Sequence, residues 1–106
     1  MLLALLLTGA LLQPTTMNAS WYGQKHQGRR TANGERFDKR AFTCAHKTLP
    51  FGTKLRVEWK KRSVVVRVND RGPYIKGRDL DLSQAAASEL GMEKQGLARV
   101  RVEREN

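Results

Sequence analysis

Five side chains in the middle of the chain belong to types that move protons: Glu35, Asp38, His46, Asp70 and Asp81. The last two stand eleven positions apart and flank one loop, residues 71–80. Such a pair, meeting across a groove, suits glycosidic cleavage. That chemistry needs a carboxylic acid kept protonated near neutral pH, by partial burial or by a second carboxylate nearby. Mutual repulsion then raises the pKa of one of them. Taken singly, each has a plainer alternative: an Asx-turn acceptor for Asp70 and a helix cap for Asp81. Cys44 and His46, two apart on a strand, share a face, but nothing marks an oxyanion hole for a thiol nucleophile. As the single cysteine, Cys44 forms no internal disulfide and reads as a small buried residue. His46 amid scattered carboxylates shows no recognised ligand spacing, so neither a metal nor a cofactor is expected.

These groups need elements that hold them. Val64, Val66 and Val68 alternate with Val65, Arg67 and Asn69, the period of a strand whose two faces differ. By parity Asp70 continues the valine face and leaves the strand pointing toward the core, where a lone carboxylate is costly unless paired or used. An Asp-Arg-Gly-Pro turn follows. Asp81 or Ser83 then caps a short helix, with Asp81 and Gln84 resembling a capping box, and Gly91 ends it. Leu82, Ala86 and Leu90 fall on one helical face. Upstream, Trp21 and Tyr22 begin a strand that Gly23 and Gly28 break, their rings serving either packing or sugar stacking. Asn33-Gly34 is the strongest turn signal in the chain and presents Glu35 at a defined place. Phe37 and Phe42 read as core, with Asp38, Lys39 and Arg40 in a polar connection. Ala41 to His46 reads as a short strand and residues 49–52 as a loop. Leu55, Val57 and Trp59 mark a strand with one wet face, Lys60 to Arg62 a solvated hairpin tip, and Leu97 to Val102 the last strand. Several short strands with one small helix suggest a small β-barrel.

The chain has 106 residues, enough for one domain. Lys and Arg number 20 against 10 Asp and Glu, a formal charge of +10, and no charged residue precedes Lys25. A field of that sign attracts nucleic acid, anionic membranes or acidic cell-wall polymer without choosing among them. Residues 1–18 read as an apolar leader. Its core of about a dozen residues is too short to span a bilayer but long enough for a signal peptide. The leader lacks the usual early Lys or Arg, and it has no Cys to carry a lipid anchor. Residues 19–106 are the expected domain.

The segments A-S-W-Y-G (19–23), G-R-R-T-A-N-G-E-R-F (28–37), A-H-K-T-L-P-F-G-T (45–53), V-V-V-R-V-N-D-R-G-P (64–73) and D-L-S (81–83) closely resemble the RlpA, or rare lipoprotein A, family. The likeness runs in order from Ala19 to Val102. It implies a mainly β fold, a six-stranded double-psi β-barrel shared with expansins and MltA-type enzymes. It also implies endolytic lytic transglycosylase activity on peptidoglycan glycan strands stripped of peptide. The expected setting is the periplasm or envelope, at the septum, for an exported monomer with no lasting membrane span. On the same footing Asp81 ranks first as the catalytic acid, Asp70 second and Glu35 third, with His46 tuning the acid or holding the sugar. Trp21, Tyr22, Thr31, Asn33, Asp38, Arg71 and Tyr74 are the implied substrate-binding positions. His26 stands where the family usually has an aromatic, and Cys44 where it usually has Ala.

Two rivals remain open at this level. A non-catalytic, expansin-like wall binder would use the same groove without cleaving anything. A basic nucleic-acid-binding domain fits the charge, but no recognised binding motif is present and nucleic acid is not an expected partner.

Overall fold

The computed structural model describes residues 13–105, so most of the apolar leader lies outside the described residues. Six strands close into a barrel: β1 (Thr15–Tyr22), β2 (Thr43–His46), β3 (Lys54–Trp59), β4 (Arg62–Asp70), β5 (Leu80–Ser83) and β6 (Ala98–Arg104). Around the barrel the order is β1-β5-β2-β4-β3-β6, with β6 pairing back to β1. The β1–β5 and β2–β4 pairs are parallel and the other four antiparallel. Closure removes every free sheet edge.

Alternation fills the interior. Met17, Ala19, Cys44, Leu55, Val57, Val64, Val66, Val68, Leu80, Leu82, Val100 and Val102 are buried in one cluster. Cys44 is fully enclosed there, and burial pushes its thiol pKa far up, with Asp81 adding to the effect. The β1 strand begins at Thr15, inside the stretch read as leader, because Met17 continues the inward parity of Ala19. The helix α1 (Gln84–Leu90) closes one end of the barrel with Ala86, Ala87 and Leu90. Its N-cap is Ser83, whose Oγ accepts from the Ala86 N–H, and Gly91 ends it in the left-handed region at φ 78°. Asp81 therefore caps nothing; it belongs to β5.

Residues 23–42, between β1 and β2, form a long excursion tied to β1, β5 and β4. Phe37 anchors it, 2% exposed and stacked on Tyr22 at 4.5 Å between ring centroids. Polar tethers complete the docking: Ala85 N–H donates to Lys39 O, and Ser83 Oγ donates to Ala41 O. Phe42, expected in the core, is instead 48% exposed. Phe42 stands directly before β2, outside the ring cluster that Tyr22, His26 and Phe37 form under the excursion.

Candidate active site

A single row of residues across the outer face sets the site. Ser20 on β1 pairs with Asp81 on β5, Asp81 pairs with Ala45 on β2, and Ala45 pairs with Asp70 on β4. Residues in register on neighbouring strands share a face. Asp70 and Asp81 thus stand on one side of the sheet, two strand spacings or roughly 10 Å apart at the backbone.

Simple alternation along β4 breaks just before Asp70. Cys44 pairs with Val68 and the next residue, Ala45, pairs with Asp70, so Asn69 is an extra residue in β4. A bulge of this kind flips the parity beyond it. Asp70 leaves the valine face and joins the outer row.

Asp81 is half-buried. Ser20 Oγ donates to its Oδ1 at 2.9 Å. Burial raises its pKa above the usual carboxylate value, Ser20, His26 and Arg78 pull the other way, and Asp70 adds a smaller upward push. The neighbouring carboxylate is therefore a minor cause; burial is the main one. Asp70 is held differently: its Oδ1 accepts the backbone N–H of Ala32 and of Arg71, both at 2.9 Å. The Ala32 bond ties the end of β4 to the excursion, and the Arg71 bond is local to the turn that follows.

Glu35 sits on the same side but is occupied. Its Oε1 accepts from Arg67 Nη1 at 2.8 Å and from Asn69 Nδ2 at 2.9 Å, and these bonds, Arg67 first, hold its pKa below the ordinary range. Such a group favours its charged form and is unsuited to donating a proton near pH 7. Thr31 and Asn33 shape the turn that carries it: Thr31 Oγ1 donates to Asn33 Oδ1 and to Glu35 O. Asn33 N–H also donates to Asn69 O.

Other expected site residues lie apart from this row. His46 has the opposite parity to Ala45, pairing with the inward Leu80. It leaves the barrel rim beside Thr15, Thr16, Met17 and Asp79. Its Nδ1 accepts the N–H groups of Thr48 and Leu49, placing the proton of the neutral ring on Nε2. Burial first, then Arg71 and Lys47, lowers its pKa. Trp21 is partly buried against the core and donates its Nε1–H to Glu93 O. Tyr22 is 9% exposed, its ring covered by Phe37 and by the edge of His26 at 5.1 Å. Asp38 is exposed and takes the Arg40 N–H in a local turn. Arg71 lies over the Phe51 ring, 4.0 Å from its centroid, and Tyr74 beyond it is 77% exposed.

Sequence reasoning overlooked Ser20, Asn69, Arg67 and Phe51. Only Ser20 had a usable signal, its place two residues from Tyr22 on one strand face. No group of three or more His, Cys, Asp or Glu among the described residues could hold a metal ion.

Against known proteins, the family described as lytic transglycolase matches residues 15–102. The endolytic peptidoglycan transglycosylase RlpA of Neisseria meningitidis (strain MC58) is 54% identical over 90 residues, covering 83% of this chain and 38% of that protein. A probable RlpA of Aquifex aeolicus is 56% identical over 81 residues, covering 74% of this chain and 36% of its own length. The chain thus spans well under half of these relatives. Among solved structures, the Streptomyces papain inhibitor superposes with a TM-score of 0.74 at 23% identity, covering 91% of this chain and 97% of its own. The Clavibacter michiganensis expansin does so at 0.71 and 24%, covering 89% and 51%. Both likenesses bear on the fold alone.

Proposed function

The chain belongs to the lytic transglycolase family of RlpA-type double-psi barrels, and from that premise we propose that it cleaves the MurNAc–GlcNAc bond of peptidoglycan glycan strands, with Asp81 carrying the proton. The observation that supports this is the state of Asp81: outward-facing, half-buried, and biased toward its protonated form by burial. A protonated carboxyl can donate to the glycosidic oxygen as the C1–O bond breaks. The resulting carboxylate then takes the proton of the muramic C6 hydroxyl as that oxygen closes on C1, leaving a 1,6-anhydro end. One group returns to its starting state, and neither water nor an enzyme nucleophile is consumed.

Asp70 organises the groove by holding Ala32 and Arg71. Glu35, locked to Arg67 and Asn69, stiffens the wall beside it. His46 supports the rim that carries Arg71, since Arg71 Nη1 donates to His46 O. Substrate contact falls to Arg71 and the exposed Tyr74. We place the activity in the cell envelope, where the polymer lies, for an exported protein acting as a monomer on strands stripped of peptide. No helix among the described residues is long and apolar enough to cross a membrane. The excess of positive charge suits denuded strands, whose muramic residues expose carboxylates.

The test is product analysis. Mass spectrometry of purified sacculi treated with the protein should show anhydro-muramic ends, and Asp81→Asn should abolish them while glycan binding persists. Binding without any such ends from the wild type would leave the expansin-like reading instead.

A further inference from the structure

Arg71 is a half-buried cation with no acid beside it. Arg56, Arg67 and Arg101 each have a Glu oxygen within 3.4 Å, but no carboxylate forms an ion pair with Arg71 among the described residues. Its neighbour Asp70 directs Oδ1 to the backbone N–H groups of Ala32 and Arg71 instead. A charge drawn part-way out of water without a counter-ion is costly. The guanidinium is nonetheless held in place. It lies 4.0 Å over the Phe51 ring centroid, and Nη1 donates to His46 O at 3.3 Å and to Asp70 O at 3.4 Å.

These contacts use one nitrogen. Nε and Nη2 have no hydrogen-bond partner among the described residues. Together they form the edge of a guanidinium that takes both oxygens of a carboxylate at once. The place of this edge follows from the strand register. The carbonyl that Nη1 holds belongs to the residue after Ala45, and Ala45 is the register partner of both Asp81 and Asp70. Ala45 lies one strand spacing, about 5 Å, from each of them. Arg71 therefore stands at the β2–β4 end of the row that carries the acid.

We propose that Arg71 is a specificity-determining residue, its Nε–Nη2 edge binding the lactyl carboxylate of a peptide-free muramic residue in the groove. This rests on the reading of the groove as a site for glycan strands. The lactyl group is a charged carboxylate where the peptide has been removed and a neutral amide where it is attached. The amide offers one acceptor oxygen in place of two and turns an N–H toward a donor edge that cannot accept it. Binding the stripped strand thus gives Arg71 the counter-ion it lacks, and a peptide-bearing muramic residue leaves it without one. Phe51 and the two carbonyls fix the fork before the strand arrives, so little ordering cost falls on binding.

The test measures Kd in the full chain carrying Asp81→Asn, which holds strands without cleaving them. The two ligands are peptide-free glycan strands and the same strands with their lactyl carboxyls converted to methylamides. The free strands should bind about tenfold or more tighter. Adding Arg71→Gln should remove most of that preference, and so should Arg71→Lys, which keeps the charge but lacks the fork. Equal binding of the two strands, or a preference that survives in either variant, overturns the proposal. Should the variants fail to fold, the Arg71 Nε–H resonance of the Asp81→Asn protein must shift with the free strands and not with the methylamides. A resonance that responds alike to both overturns it equally. Discrimination by Arg71 without anhydro ends from the wild type keeps the carboxylate site and sinks the lyase reading; anhydro ends made equally well from both strands do the reverse.

Discussion

Replacing Phe37 by Ala tests how the outer excursion is held. Within residues 24–40 it is the only large apolar side chain, and it is 2% exposed against Tyr22 and His26. Removing a buried Phe side chain costs about 3–5 kcal/mol. Little of that should reach the barrel, whose inner cluster does not include Phe37. The loss should fall on the excursion as local opening. At about 1.4 kcal/mol per factor of ten, its amide protection should drop by roughly a hundredfold or more. The amides to follow by hydrogen exchange are Gly28, Thr31 and Phe37, which bond within the excursion, against those of the β3–β4 ladder. Protection of the ladder should hold. Cleavage should fall as well, because Asp70 loses the Ala32 N–H. Uniform loss across both sets, or no loss in the excursion, would refute this division of the molecule.

Asp81→Asn should be more stable than wild type at pH 7 even as activity is lost. With its pKa raised in the folded state, the stability linked to Asp81 is complete below pH 3.8 and is lost as pH rises through the folded pKa. Denaturant midpoints of the two forms should therefore converge in acid and separate toward neutrality. Glu35→Gln should show the opposite sign: the lowered pKa stabilises the wild type above 4.5, and the advantage fades as pH falls through the folded value. Because this pair is more than a third exposed, the difference at pH 7 should stay within about 1 kcal/mol. Ser83→Ala should lower stability by about 1–2 kcal/mol through loss of the cap, measured by thermal melting. Asp81→Asn should show no such loss, which separates the true cap from the residue the sequence also offered.

Alternation along the valines of β4, the outer arginines of β6 and the inward residues of β3 is local, and a period of two follows from backbone geometry alone. Strands β2, β3, β4 and β6 and the barrel class were therefore legible in the chain, as were the Gly91 stop and the burial of Cys44, whereas β5 was read as a helix start and Trp21 and Tyr22 end β1 rather than begin it. The family motifs singled out the carboxylates. What no local pattern contained was the meeting of β1 with β5 and of β2 with β4, because a parallel pair joins residues far apart in sequence. That pairing, with the single extra residue Asn69, brings Asp70 onto the outer face beside Asp81. It also decided that Ser83 caps the helix, that Ser20 is the partner of Asp81, and that the Tyr22 ring is covered rather than free. A carboxylate's type and place in the chain can be read from the sequence. Its proton affinity depends on burial and on neighbours that only the closed barrel assembles.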